Sequence, residues 1–328
     1  MPEFSCVVGE DFAERRLRLD RYVAECLGLL SRSRIKTLGL EGRINGRPVK
    51  LSRPVKRGDR LELRWAEAEP LYAYPENIPL DVLYEDERVI VINKAQGMVV
   101  HPGAGNRSGT LVNALLWRFA GKGEIPPPAA VPEKAAAGGP GAPAAASSLL
   151  RPGIVHRLDK DTSGVIIAAR DDEALAFLAE QFRARRAGKT YAALVPGAPE
   201  RDSGRVETMI ARDVRDRKRF AVSDRGKSAL TLYRVVKKWE THSLVLLRPK
   251  TGRTHQLRVH LRYLGHPVCG DPVYGFTDPL FPGASLMLHA LSLRIVLPGR
   301  NTPRLFRAPL PERFREIFRV LEGRSRIS

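Results

Sequence analysis

Five short strand-like runs constrain the fold of this chain most: Arg88–Asn93, Val165–Ala169, Thr190–Val195, Thr231–Val236 and Ser243–Leu247. Between the second and third lies a helical stretch with Leu175, Leu178 and Phe182 on one stripe. Strands of mixed length, several joined by short turns, predict an α+β fold over residues 74–328. Its sheet is expected to be mixed and mainly antiparallel, with flanking helices.

Residues 121–148 interrupt that pattern. Of these 28 residues, 20 are Gly, Ala or Pro. Such a stretch buries too little apolar surface to offset its chain entropy, so 121–149 is expected to be a disordered insertion. Residues 12–73 form a separate basic module, with 1–11 as an N-terminal tail. Residues 12–63 hold 14 Lys or Arg against 6 Asp or Glu. Leu19, Tyr22, Val23, Cys26 and Leu27 recur at helical spacing. Ser31 is the expected cap of a second helix carrying Arg32, Arg34, Ile35, Lys36 and Leu38, with Gly42 as its stop. Asn45-Gly46 predicts a tight hairpin turn, and Arg57-Gly58-Asp59 another turn.

The formal net charge is +19, and the hydrophobic fraction of 43% supports a sizeable core. A positive surplus of this size points to a polyanionic partner. Arg outnumbers Lys 42 to 13, which suits bidentate phosphate contacts. Cys6, Cys26 and Cys269 are too few and too scattered for a disulfide scaffold or a zinc knuckle. Acidic residues early in the chain and the lack of a long apolar run argue against a secretory leader or a membrane span. The expectation is a soluble, cytoplasmic monomer. A phosphate-binding loop, a dinucleotide fingerprint and a metal-ligand cluster are all missing from the sequence, so neither cofactor nor metal is expected.

Two stretches carry chemistry. In "GIVHRLDKDTSG", residues 153–164, an apolar pair runs into a polar loop and then into a strand. Cations at Arg157 and Lys160 favour the ionised form of Asp159, and an ionised Asp serves as nucleophile or base. By spacing alone, a structural ion-pair loop accounts for the same residues. In "TGRTHQLRVHL", residues 251–261, Thr254 is the expected cap of a helix with Leu257, Leu261 and Leu264 on its apolar stripe. His255, Arg258 and Arg262 share another face. With Arg253 beside the helix start, this stretch suits an anion or RNA, although a basic surface helix fits it as well.

Together these motifs resemble the RluA family of pseudouridine synthases. "VINKAQGMVVHPGAG", "GDPVYG" and "LMLHALSL" extend the resemblance over residues 80–320, apart from the insertion. The run "LDRYVAECLGLLSRSRIKTLGLEGRINGRPVKLSRPVKRGDRL" resembles an S4 RNA-binding domain, which points to the RluD/RluC-like branch. One departure is Lys94-Ala95, where the family carries Lys-Pro.

The resemblance implies isomerisation of uridine in RNA, most specifically large-subunit ribosomal RNA, without a cofactor. The base leaves through N1, turns and rejoins the ribose through C5. Asp159 is implied as the catalytic carboxylate, either attacking C1′ or removing the 2′ proton. Arg258 is implied as its partner, with Arg253 the alternative. Tyr191 would stack on the uracil near the departing C5 proton. Arg157 would fill the gap left by the flipped base, Leu288 would support the base or Asp159, and Lys94 would lie on the cleft floor or bind phosphate. Arg32, Arg34 and Lys36 would bind RNA. His156, His255, His260 and His289 are expected to be structural. The rival readings are a non-catalytic RNA-binding or ribosome-assembly factor and, with no groove-reading motif to support it, a DNA-binding protein.

Overall fold

A computed structural model describes residues 2–9, 17–30, 32–66, 72–103, 105–120, 129–130, 153–216 and 219–324. Two compact units divide the chain, Met1–Pro70 and Leu71–Ser328.

The first unit contains β1 (Glu3–Val7), α1 (Leu19–Glu25), α2 (Arg32–Thr37), β2 (Glu41–Ile44), β3 (Arg47–Val49) and β4 (Arg60–Arg64). Its sheet order is β1-β4-β2-β3. Leu61 and Leu63 of β4 face Leu19, Tyr22, Val23 and Ile35 in the core. The expected tail is thus an edge strand: Phe4 and Cys6 alternate toward this core while β1 pairs with β4. That pairing covers the side of β4 that β2 leaves open. Asn45 and Gly46 both have positive φ, as a tight hairpin turn requires. The Asn45 side chain accepts from the Arg60 amide and donates to Asp59. Helix α2 stops at Gly39, with φ of 60°, and not at Gly42. Gly42 lies in β2, where a Cβ would collide with Leu19. Cys26 is the exposed C-cap of α1 and takes no part in its buried stripe. Ser31 lies outside the described residues.

The second unit runs β5 (Tyr72–Ala73), β6 (Val82–Glu85), β7 (Val89–Lys94), α3 (Leu111–Phe119), β8 (Ala129–Ala130), β9 (Gly153–Ile154) and β10 (Ser163–Ala169). It continues through α4 (Asp172–Arg183), β11 (Gly188–Pro196), β12 (Ser203–Arg212), β13 (Phe220–Val222), β14 (Lys227–Lys238) and β15 (His242–Pro249). It closes with α5 (Gln256–Tyr263), β16 (Leu288–Val296), β17 (Pro303–Arg307) and α6 (Glu312–Arg324). Ala73 is buried beside Val112 and Leu116, so the boundary falls before residue 73. Within the expected insertion, Ala129–Ala130 pair with Tyr72–Ala73; the remainder lies outside the described residues.

An eleven-stranded sheet follows the order β13-β12-β14-β15-β11-β16-β10-β7-β6, with β17 on β16 and β9 on β10. The second unit is built on a mixed, mainly antiparallel sheet. Its inner strands are apolar on both faces. Val165, Ile167 and Ala169 of β10 enter one core layer with Ala174 and Leu178 of α4. Ile166 and Ala168 enter the opposite layer with Leu111 and Leu115 of α3. Side chains alternate along a strand, so continuous apolar runs are what two covered faces require. The outer strands β12 and β14 alternate buried with exposed positions. Among the described residues, no helix is long and apolar enough to cross a membrane.

Three irregularities meet at the centre. The β10–β16 pair, Ser163 with His289 and Gly164 with Ala290, is the one parallel ladder among the described residues. The β11–β16 ladder shifts register between Thr190 and Ala192, so Tyr191 sits at a bulge. Gly164 has φ of 112°, and a Cβ there would overlap the Ala290 carbonyl.

Candidate active site

Between β9 and β10 the chain forms the polar loop that presents Asp159. The Thr162 amide donates to the Asp159 carbonyl, closing a turn. The 95–98 loop braces this turn: Gly97 donates to the Lys160 carbonyl, and Gln96 to the Asp161 and Leu286 carbonyls. Asp159 is half-buried, with part of its carboxylate reaching solvent.

Arg258 faces this carboxylate from α5, with Nη1 3.6 Å from Asp159 Oδ2. Its short bonds go elsewhere. Nε donates to Asp271 Oδ2 at 2.7 Å, and Nη2 to Asp271 Oδ1 at 2.6 Å. Asp271 Oδ1 also accepts the Val273 and Tyr274 amides. Burial disfavours the charged Asp271, but the Arg258 bonds and charge outweigh it and hold its pKa below the ordinary 3.8. Burial likewise works against the Arg258 charge, and the hydrogen bonds and charge of Asp271 override it, raising the guanidinium above its ordinary value.

Tyr191, at the bulge of β11, is half-buried and packs against two core clusters. Burial first, and then the charge of Asp159, push its phenol well above the ordinary value. The hydroxyl is accordingly a donor at neutral pH. His255 Nε2 lies 3.8 Å from Asp159 Oδ2. His255, not Thr254, is the N-cap of α5, with a left-handed backbone and no side-chain capping bond. Gln256 accepts instead from the Thr251 hydroxyl and the Arg253 amide.

The other sequence-derived candidates divide. Arg157 is exposed, and its charge helps to lower the His101 and His255 pKa values. Leu288 is buried on β16, where its carbonyl accepts from Arg313. Arg253 donates to the Ser228 carbonyl at the start of β14. Arg32 and Lys36 are exposed on α2, and Arg34 is half-buried.

Lys94 departs from its expected place. It is 1% exposed, and Nζ donates to the Ala95, Met98 and Lys160 carbonyls. Three carbonyl partners leave no proton for a phosphate, so Lys94 ties the 95–98 loop to the Asp159 loop. Burial draws its pKa down to about 8 against the pull of Asp159 and Asp161.

The histidines behave as buried hydrogen-bonding groups. His156 Nε2 accepts the Ile167 amide, and its ring stacks on Phe182. His260 bonds Thr231 and Thr208. His289 Nδ1 meets the Ser163 hydroxyl, which accepts from Arg313. A buried trio, His242, Cys269 and Asp278, has donor atoms within 4.8 Å of one another. Its own hydrogen bonds occupy it: Asp278 Oδ2 lies 2.8 Å from His242, and Oδ1 accepts the Leu280 and Phe281 amides.

Asp271, Gln96 and Arg313 escaped the sequence reading. Asp271 stands in "GDPVYG", but nothing in its spacing from Arg258 marks the pair. A turn between α5 and residue 271 brings them together.

A family model described as RNA pseudouridylate synthase matches residues 88–263. Over 320 residues the chain is 42% identical to an uncharacterized RNA pseudouridine synthase of Aquifex aeolicus, covering 94% of this chain and 95% of that protein. It is 41% identical over 316 residues to the ribosomal large subunit pseudouridine synthase D of Borreliella burgdorferi, covering 92% and 88%. The fold is similar to the solved structure of human RNA pseudouridylate synthase domain containing 4, with a TM-score of 0.56 at 25% identity. That match covers 74% of this chain and 93% of that one.

Proposed function

The chain belongs to the RNA pseudouridylate synthase family, RluA type, and on that premise we propose that it isomerises uridines of large-subunit ribosomal RNA with Asp159 as the reacting carboxylate. The family assignment makes it an RNA pseudouridine synthase. The ribosomal substrate follows the name of the Borreliella relative.

One observation carries the role of Asp159: a half-buried carboxylate 3.6 Å from a guanidinium whose short hydrogen bonds are all committed to Asp271. Arg258 supplies positive charge without occupying the Asp159 lone pairs. Either route open to the carboxylate, attack on C1′ or removal of the 2′ proton, needs it ionised and uncovered. The N1–C1′ bond breaks, the freed uracil turns, and C5 bonds to C1′. The C5 proton then leaves and N1 gains one, so the reaction balances with no oxidant. Tyr191 flanks the site as a stacking surface for the base. A target uridine must leave its stack, at about a few kcal/mol, and exposed Arg157 stands ready to fill the vacated space.

We assign the first unit as an S4-type RNA-binding module. Two short helices and a hairpin, with Arg32 and Lys36 exposed on α2, support this. The test is a pseudouridine map of large-subunit rRNA by carbodiimide-blocked primer extension, in cells lacking the gene and complemented with wild type or Asp159→Asn. Wild type restores modified sites and Asp159→Asn does not. Restoration by Asp159→Asn would remove Asp159 from the mechanism.

A further inference from the structure

His255 is built unlike an ordinary helix-start residue. Its backbone is left-handed, with φ of 55° and ψ of 15°. That conformation costs a side chain with a Cβ, and such outliers persist where surrounding contacts enforce them. The side chain caps nothing in return. Instead the left-handed turn sends the ring away from the helix and back toward the loop before β10. There it lies edge-on to Tyr274 and Phe220, at centroid distances of 5.5 and 5.6 Å.

We propose that His255 is a positioning residue for Asp159, presenting Nε2–H to the carboxylate in a tautomer fixed by the Tyr274 hydroxyl. This rests on Asp159 being the reacting carboxylate.

The tautomer follows from proton counting. Tyr274 Oη accepts the Phe220 amide at 2.8 Å. That leaves the hydroxyl its own proton to give to His255 Nδ1, also 2.8 Å away. Nδ1 then accepts, and the ring proton resides on Nε2. The opposite tautomer would aim a lone pair at the Asp159 carboxylate and deprive the Tyr274 proton of this acceptor. Nε2–H thus faces Oδ2 at 3.8 Å. The contact is long, as catalytic contacts commonly are before substrate binds.

Every packed element contributes to the field at the ring. Asp159 and Arg157 face it from the loop before β10, Arg258 from its own helix, Asp271 and Tyr274 from the 271–274 turn, and Phe220 from β13. Burial outweighs the pull of Asp159 and keeps the imidazole neutral. His255 therefore serves as a dipolar donor beside Arg258, not as a second cation.

The chain Phe220 N–H, Tyr274 O–H, His255 Nε2–H, Asp159 also joins β13 to the carboxylate. Its orientation consequently depends on where the β12–β13 hairpin lies.

The test uses the full-length protein and a large-subunit rRNA transcript labelled with tritium at uridine C5. Single-turnover tritium release is followed from pH 5 to 9 for wild type, His255→Phe, His255→Gln, Tyr274→Phe and Asp159→Asn. Loss of a hydrogen bond to a charged group predicts a ~10–100-fold slower step for His255→Phe, with RNA affinity within about twofold. The acid limb of its profile moves to higher pH, because the ionised carboxylate has lost a donor. Gln retains an N–H and restores at least half of the logarithmic loss. Tyr274→Phe moves the limb in the same direction by a smaller amount. A wild-type rate and limb in His255→Phe overturns the proposal. So does a slow variant with an unmoved limb that Gln does not rescue. Activity in Asp159→Asn overturns instead the reading on which this one rests.

Discussion

Arg258 is committed to Asp271: two hydrogen bonds of 2.7 and 2.6 Å bind them, while Asp159 stands 3.6 Å from the same guanidinium. The arrangement separates two tasks. Asp271 fixes the cation, and Asp159 receives its field with its own oxygens unspent. Asp271→Asn breaks this division. It leaves a buried Arg258 without its counter-charge, at a cost of about 3 kcal/mol. Arg258 then turns to Asp159 and occupies it. The expected result is a lower urea midpoint together with a ~10–100-fold slower single-turnover rate. Unchanged kinetics in a folded Asp271→Asn would contradict the account.

Lys94→Met preserves length and removes the donors. Three backbone carbonyls lose their partner at once. A stability loss of about 2–4 kcal/mol is expected, with RNA affinity unchanged because Nζ faces inward. A filter-binding titration in the Asp159→Asn background separates the two effects. A stable protein with weakened RNA binding would return Lys94 to the cleft floor.

Gly164→Ala tests the centre of the sheet. The backbone there has φ of 112°, and a methyl would meet the Ala290 carbonyl. Separation of β10 from β16 and a loss of at least ~2 kcal/mol follow. Thermal melting of this variant against Gly299→Ala gives the measurement. Gly299 has positive φ but no neighbour within contact distance, so its substitution carries only the conformational cost.

Acid should destabilise the fold early. Burial keeps His156 neutral down to about 3, and His101, His260 and His289 down to about 4, from an ordinary 6.5. Between those values and 6.5 the unfolded chain binds more protons than the folded one. Stability from these groups is thus complete above pH 6.5 and falls as pH drops, by up to ~1.4 kcal/mol per pH unit for each imidazole. His156 has a visible reason, since its Nε2 must stay bare to accept the Ile167 amide. Urea midpoints from pH 7.5 to 5 test this, and a flat profile would count against it.

The charge pair Arg32→Glu with Lys36→Glu addresses the N-terminal unit. Both side chains are exposed on α2. Weaker rRNA binding and a salt dependence shallower by about two phosphate contacts are expected, with melting unchanged. Identical affinity would remove this helix face from the RNA interface.

Sequence disclosed the parts of this molecule that repeat a local rule. Apolar runs gave away β7, β10, β11 and β15, alternation gave away β14, and Asn45-Gly46 gave away its hairpin. It concealed what depends on distant chain. Strand β1 is short and polar at alternate positions, and only β4 makes a strand of it. Thr254 looks like a cap, but Gln256 reaches Thr251 first. Lys94 resembles a ligand-facing lysine until three carbonyls are seen around it. Asp271 lies 13 residues after Arg258, a spacing no helix or strand period would single out. His255 reads as structural in the sequence, because the Tyr274 hydroxyl that meets its Nδ1 lies on another loop.

The position of β16 has a consequence for how the molecule is born. This strand begins at Leu288 yet lies between β11 and β10, whose sequences end at Pro196 and Ala169. On the ribosome, those two strands emerge before the strand that joins them, with only the short β9 covering the end of that edge of β10. At translation speeds of about 5–20 residues per second, the gap persists for roughly 5–20 s. Helix α6, which carries Arg313 to Ser163, arrives later still. The nascent chain therefore carries Ser163 and Gly164 long before their partners His289 and Ala290 exist. A chain truncated before residue 288 lacks β16 and leaves β10 and β11 without the strand that joins them.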